Sequence, residues 1–244
     1  MATYFETGHA KNVDNFHLLI QFVMGFGAAY NPHNPSLQVA QLQQLEVEAR
    51  ERLLHVVQTN TEYNGAVNRR YYLFKELRSL VTRGNNVLQT TGADAQTLQD
   101  AKYFVRKVHG RRAQMIQAPL DINTPAPNTI STSQQSYTQL VQHVIGFKAV
   151  LESVPDYVAN VADLELAAWD VKIQNLSLSN TDVAVRYVAV SNARLSRNAK
   201  LYADEDGLVS VALEVKKYVK GIFGSKSPQY LQVSGIKFRK VRRA

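Results

Sequence analysis

Phe16-His-Leu-Leu-Ile-Gln-Phe-Val-Met-Gly-Phe26 and Tyr137-Thr-Gln-Leu-Val-Gln-His-Val-Ile-Gly-Phe147 are two versions of one segment, 121 residues apart. Phe16, Leu19, Ile20 and Val23 fall on one face of a 3.6-residue helix, and Tyr137, Leu140, Val141 and Val144 do the same. Further on, Ser79-Leu80-Val81 is answered by Gly207-Leu208-Val209. Val105-Arg106-Lys107-Val108-His109-Gly110 is answered by Val219-Lys220-Gly221-Ile222-Phe223-Gly224. A repeat near 120 residues is too long for a solenoid unit. The expected fold is therefore all-α: an elongated helical bundle with long coiled-coil-like helices, made of two pseudo-symmetric tandem copies of a three-helix unit.

The long helices are read from a sustained 3-4 spacing. Val39, Leu42, Glu46, Ala49, Leu53, Val56, Asn60, Tyr63, Val67, Arg70, Phe74, Leu77 and Val81 keep one register. Asn64-Gly65 interrupts that run with a turn-prone dipeptide. The second copy keeps the spacing at Leu166, Trp169, Ile173, Leu176, Asn180, Val183, Tyr187 and Val190, with no Gly or Pro between Val161 and Asp206. A continuous helix is expected in both, 70–80 Å long if it reaches about 50 residues. Asn60 and Asn180 would fix register if buried. Asp14 and Asn34 are expected caps, Gly84 and Gly92 a loosening before a third helix from Asp94 to His109, and Thr132-x-x-Gln135 a capping box.

The predicted organisation is a polar segment at 1–13, helical repeats at 14–112 and 132–226, a Pro-rich linker at 113–131, and a basic arm at 227–244. Ile236 and Phe238, two apart between charges, read as extended chain.

Composition narrows the chemistry. There are no cysteines, which removes disulfides and thiolate metal sites. The longest uncharged apolar stretch, Leu18 to Tyr30, is short of the roughly 20 residues of a spanning helix. Its counterpart carries Lys148 and Glu152, so the stretch reads as a bundle helix. No secretory pattern opens the chain, and a cytoplasmic protein is the default expectation, with signal-independent export left open. The net charge of +8 falls to +3 without Lys237, Arg239, Lys240, Arg242 and Arg243. Those five residues are the candidate contacts for nucleic acid or another anion.

Catalytic and metal-binding patterns are weak. Glu51 and His55 lie four apart, but Asp182 matches His55 in the second copy and no Glu-x-x-His pair occurs. There is no Gly-x-Ser-x-Gly elbow and no phosphate-binding glycine loop. No cofactor, metal or small-molecule ligand is expected, and no enzyme activity. Trp169 reads as a core anchor, and some of Tyr71, Tyr72 and Phe74 should face a partner, because one neighbour cannot cover them all.

Met1-Ala-Thr-Tyr-Phe-Glu-Thr-Gly-His-Ala-Lys-Asn-Val13, Phe26-Gly-x-x-Tyr30-Asn-Pro32, Ser79-Leu-Val-Thr-Arg83, Leu195-Ser-Arg-Asn198 and Tyr218-Val-Lys220-x-x-Phe223-Gly224-x-x-Ser227-Pro-Gln-Tyr230 resemble a group of all-helical Bacteroidetes proteins of unknown function. The resemblance implies a bacterial, helical protein and carries over no activity, cofactor or functional residue. The leading expectation is a non-enzymatic structural or protein-interaction role, possibly self-associating. A membrane-active helical protein resembling pore formers, and nucleic-acid binding through the basic arm, are the alternatives.

Overall fold

The computed structural model of the chain describes residues 8–111 and 134–240. Among the described residues the regular structure is helical throughout: α1 (His9–Gly25), α2 (Val39–Lys75), α3 (Leu77–Leu88), α4 (Ala95–His109), α5 (Tyr137–Glu152), α6 (Leu166–Tyr202), α7 (Leu208–Phe223) and α8 (Pro228–Ser234). The linker at 113–131, Thr132, Arg242 and Arg243 lie outside the described residues.

α2 runs unbroken past Asn64-Gly65, as expected, but has 37 residues and not 50. α6 also has 37. At about 1.5 Å per residue each is roughly 55 Å long. Both begin by the same device. A 3-10 turn (Pro35–Leu37 or Ala162–Leu164) precedes the helix, and a buried tyrosine seven residues upstream donates to its last carbonyl. Tyr30 Oη reaches Leu37 O at 2.8 Å, and Tyr157 Oη reaches Leu164 O at 3.0 Å.

Several boundaries differ from the reading of the sequence. Asp14 lies inside α1, which starts at His9. Asn34 accepts from Ser36 N and caps the 3-10 turn, not α2. Ser136, not Thr132, caps α5. The first half holds four α-helices where three were expected, because α3 is a helix of its own; the second holds three within 132–226, and α8 falls in the arm read as extended. Gly84 does not loosen it. A Cβ there would stand 2.9 Å from Trp169 Cζ2, so the glycine is a close-approach residue within the helix. α4 follows expectation, capped by Asp94 and closed by Gly110 in the left-handed region.

The chain divides into two compact units. The first comprises residues 1–63 and 186–244, the second residues 64–185. Each therefore combines parts of the N-terminal and C-terminal halves of the sequence. In the first, α1 lays Phe16, Leu19, Ile20 and Val23 against Leu42 and Ala49 of α2, Leu201 of α6, and Leu208, Val211, Val215 and Val219 of α7. In the second, Val141, Val144, Phe147 and Leu151 of α5 meet Phe74 of α2, Leu77, Val81 and Leu88 of α3, Ala101 and Val108 of α4, and Trp169 and Leu176 of α6. Full burial of such side chains contributes about 1.5–3 kcal/mol apiece. Trp169 is fully buried, as its seam position predicts.

Within each unit the α2 and α6 segments run antiparallel and are tied by ion pairs. Glu62–Arg186 and Glu48–Lys200 lie in the first, and Arg69–Asp182 in the second. Asn60 and Asn180 are half-buried on the inward side.

Candidate interaction surface

α6 carries two apolar stripes. Trp169, Leu176, Val183 and Val190 face inward and are buried. Two residues further along each heptad, Val171, Leu178 and Val185 point outward and are 57%, 58% and 59% exposed. All three lie in the second unit.

The exposed residues between them are Gln174, Asn175, Ser177, Thr181 and Ala184, all uncharged, and the one charge on the stripe's own face is Asp182, four after Leu178 and three before Val185. Asp182 is neutralised there by Arg69 at 2.9 Å, and Lys172, at the flank, pairs with Glu76. Branched aliphatic side chains with small, uncharged neighbours give up little hydration when covered. The outward residues of α2 in the same unit differ: Asn64, Asn68, Arg69, Tyr71, Tyr72 and Lys75. Tyr71 and Tyr72 are exposed while Phe74 is buried, and the two tyrosine rings meet edge to face.

Val171 also lines a groove of about 430 Å3 between α3 and the start of α6. Leu80, Ala168 and Val171 form its apolar wall. Its charged rim is internally matched: Arg83 makes two bonds to the Asp163 carboxylate, at 2.6 and 3.1 Å, and Lys172 pairs with Glu76 at 3.5 Å. Such half-exposed pairs contribute under about 1 kcal/mol each and leave no charge poised for a ligand.

The basic arm is placed differently from a free tail. The chain turns through α8 before extending, and Ile236 is buried in the first unit's core with Phe238 packed beside it. Lys240 Nζ pairs with Asp204 at 2.6 Å. The backbone of Lys237 and Arg239 is held by Asn15 and Asn12, while their side chains are exposed. Arg69 and Arg70 of α2 both have partners: Arg69 pairs with Asp182, and Arg70 lies over the Tyr137 ring at 4.1 Å.

Among the described residues no group of three His, Asp or Glu side chains converges on a metal-sized position. No described helix is long and apolar enough to cross a membrane. No protein-family model, curated protein or solved structure matches the chain.

The outward stripe went unread in the sequence because attention to the inward heptad hid it. The signal was present: Val171, Leu178 and Val185 repeat at seven, with Asp182 the one charged residue on their face.

Proposed function

We propose that the chain is a non-enzymatic structural protein that associates with itself through the outward face of α6. The observation carrying this reading is the exposed heptad of Val171, Leu178 and Val185, whose face holds one charge, Asp182, already paired with Arg69. Val171 and Val185 are equidistant from Leu178. Two antiparallel copies crossing at Leu178 would place each valine against its opposite number, the self-complementary arrangement of a two-fold interface. A chain of net charge +8 repels its own copies. An apolar strip whose one carboxylate is already paired with Arg69 lets two such chains meet without opposing their excess positive charges. The segment rises only about 21 Å, so the contact falls in the small, reversible class below about 1,200 Å2.

The test is mass against concentration by sedimentation, for the wild-type chain and for L178E/V185E. Wild type should shift from monomer toward dimer across the micromolar range, and the variant should stay monomeric with unchanged helical circular dichroism. A wild-type chain that remains monomeric at several hundred micromolar overturns the proposal.

We further propose that the two halves descend from one helical unit, with the inward heptads as its coiled-coil-like seam. Support comes from the matched segments around Phe16 and Tyr137, the equal lengths of α2 and α6, and the paired Tyr30–Leu37 and Tyr157–Leu164 bonds.

A further inference from the structure

Residues 234–240 are held chiefly through their backbone. Lys216 Nζ donates to Ser234 O at 2.9 Å and to Ile236 O at 2.8 Å. Asn15 Nδ2 donates to Lys237 O at 2.8 Å. Asn12 grips Arg239 on both sides, donating to its carbonyl at 2.7 Å and accepting from its N–H at 3.2 Å. Asn12 is itself 4% exposed and is steadied by the Tyr202 hydroxyl at 3.2 Å, which also bonds His9 Nδ1 at 2.8 Å.

Side-chain identity enters at alternate positions. Ile236 and Phe238 pack into the apolar cluster of the first unit, while Lys237 and Arg239 point to solvent. Main-chain hydrogen bonds supplying affinity, with alternate side chains supplying selectivity, is how receptors take an extended peptide.

We infer that the surface formed by α1 and α7 is a peptide-binding groove for an extended apolar-x-aromatic segment, and that residues 234–240 of a second copy are its exchange partner. Emptying the groove is costly, because Asn12 and the desolvated Lys216 would be left without their carbonyls. Burial already holds the Lys216 ammonium below its usual pKa. A second copy's arm restores every one of these bonds, so exchange between chains conserves the interactions of the folded state. This surface is separate from the α6 face and does not depend on it.

The experiment uses the full chain carrying L178E/V185E, so that the α6 face cannot contribute. A fluorescein-labelled peptide of residues 232–240 is titrated and followed by anisotropy. The chain's own arm competes at an effective concentration of the order of millimolar, so wild-type groove residues should give weak, saturable binding that unlabelled peptide displaces. Replacing Ile236 and Phe238 by Ser in the peptide should abolish it. Making I236S/F238S in the protein's own arm should strengthen peptide binding at least tenfold, provided circular dichroism shows the fold retained. N12A in the protein should weaken it about tenfold. No saturable binding at millimolar peptide, or equal binding of the Ser-substituted peptide, overturns the inference. Both of those readings need no change to the groove.

Discussion

Gly84 and Gly65 both sit inside helices, yet alanine should have opposite effects at the two. Alanine is favoured over glycine in a helix interior by about 1 kcal/mol. At Gly65 the added methyl meets only Arg69 Nη1 at 3.5 Å, the mobile end of a surface side chain, so G65A should stabilise by most of that amount. At Gly84 the methyl would lie 2.9 Å from Trp169 Cζ2 and 3.2 Å from Phe147 Cε1. Neither ring can yield easily. Both are fully buried, they pack edge to face with centroids 5.4 Å apart, and Trp169 Nε1 is fixed to Leu164 O at 3.2 Å. Overpacking of this kind costs about 1–3 kcal/mol. It offsets the propensity gain, leaving G84A less stable than wild type by about 1 kcal/mol and less stable than G65A by about 2. Urea unfolding followed by circular dichroism measures both differences. F147L should partly rescue G84A, because the residues share the contact and their effects will not add. If G84A and G65A stabilise equally, the tight approach of Trp169 to α3 is wrong.

Two further outcomes can be checked in the same assay. Tyr30→Phe removes the only hydroxyl bond to the Leu37 carbonyl described above and should cost about 1–3 kcal/mol, whereas Tyr157→Phe should cost less, about 0.5–1.5, because Trp169 Nε1 still serves Leu164 O; equal losses would contradict this. Burial holds the His143 ring below its usual pKa of 6.5. Just below pH 6.5 the unfolded chain therefore binds a proton that the folded chain refuses, and stability falls as pH drops through that window. His143→Phe, which installs the residue found at the matching position Phe22, should lose less of its urea midpoint between pH 7.5 and 5.5 than wild type does. An unchanged difference between the two pH values would refute it.

The helices were legible because their apolar residues recur at three and four, and continuity through Asn64-Gly65 was legible because the second half keeps the spacing without a glycine. α3 was hidden because Gly84 reads locally as a breaker. What fixes it is Trp169, 85 residues away in the chain, filling the space a side chain would take. Alternation at Ile236 and Phe238 announced an extended segment but could not show its seat, since Asn12 lies at the other end of the chain. The outward face of α6 had the opposite difficulty. The helix bears two heptad stripes, and periodicity alone does not tell which one a neighbour covers.

The split of the chain between its units sets an order of events during synthesis. Residues 64–185 are contiguous, so the second unit can close once they have left the ribosome. The first unit must wait for α7 and α8. At about 5–20 residues per second, Phe16, Leu19, Ile20 and Val23 of α1 have only Leu42 and Ala49 of α2 to pack on for roughly ten seconds or more before Leu201 and α7 exist. The newly made α1 is thus the segment most in need of a chaperone, and a premature stop after α6 would strand it without its α7 partners.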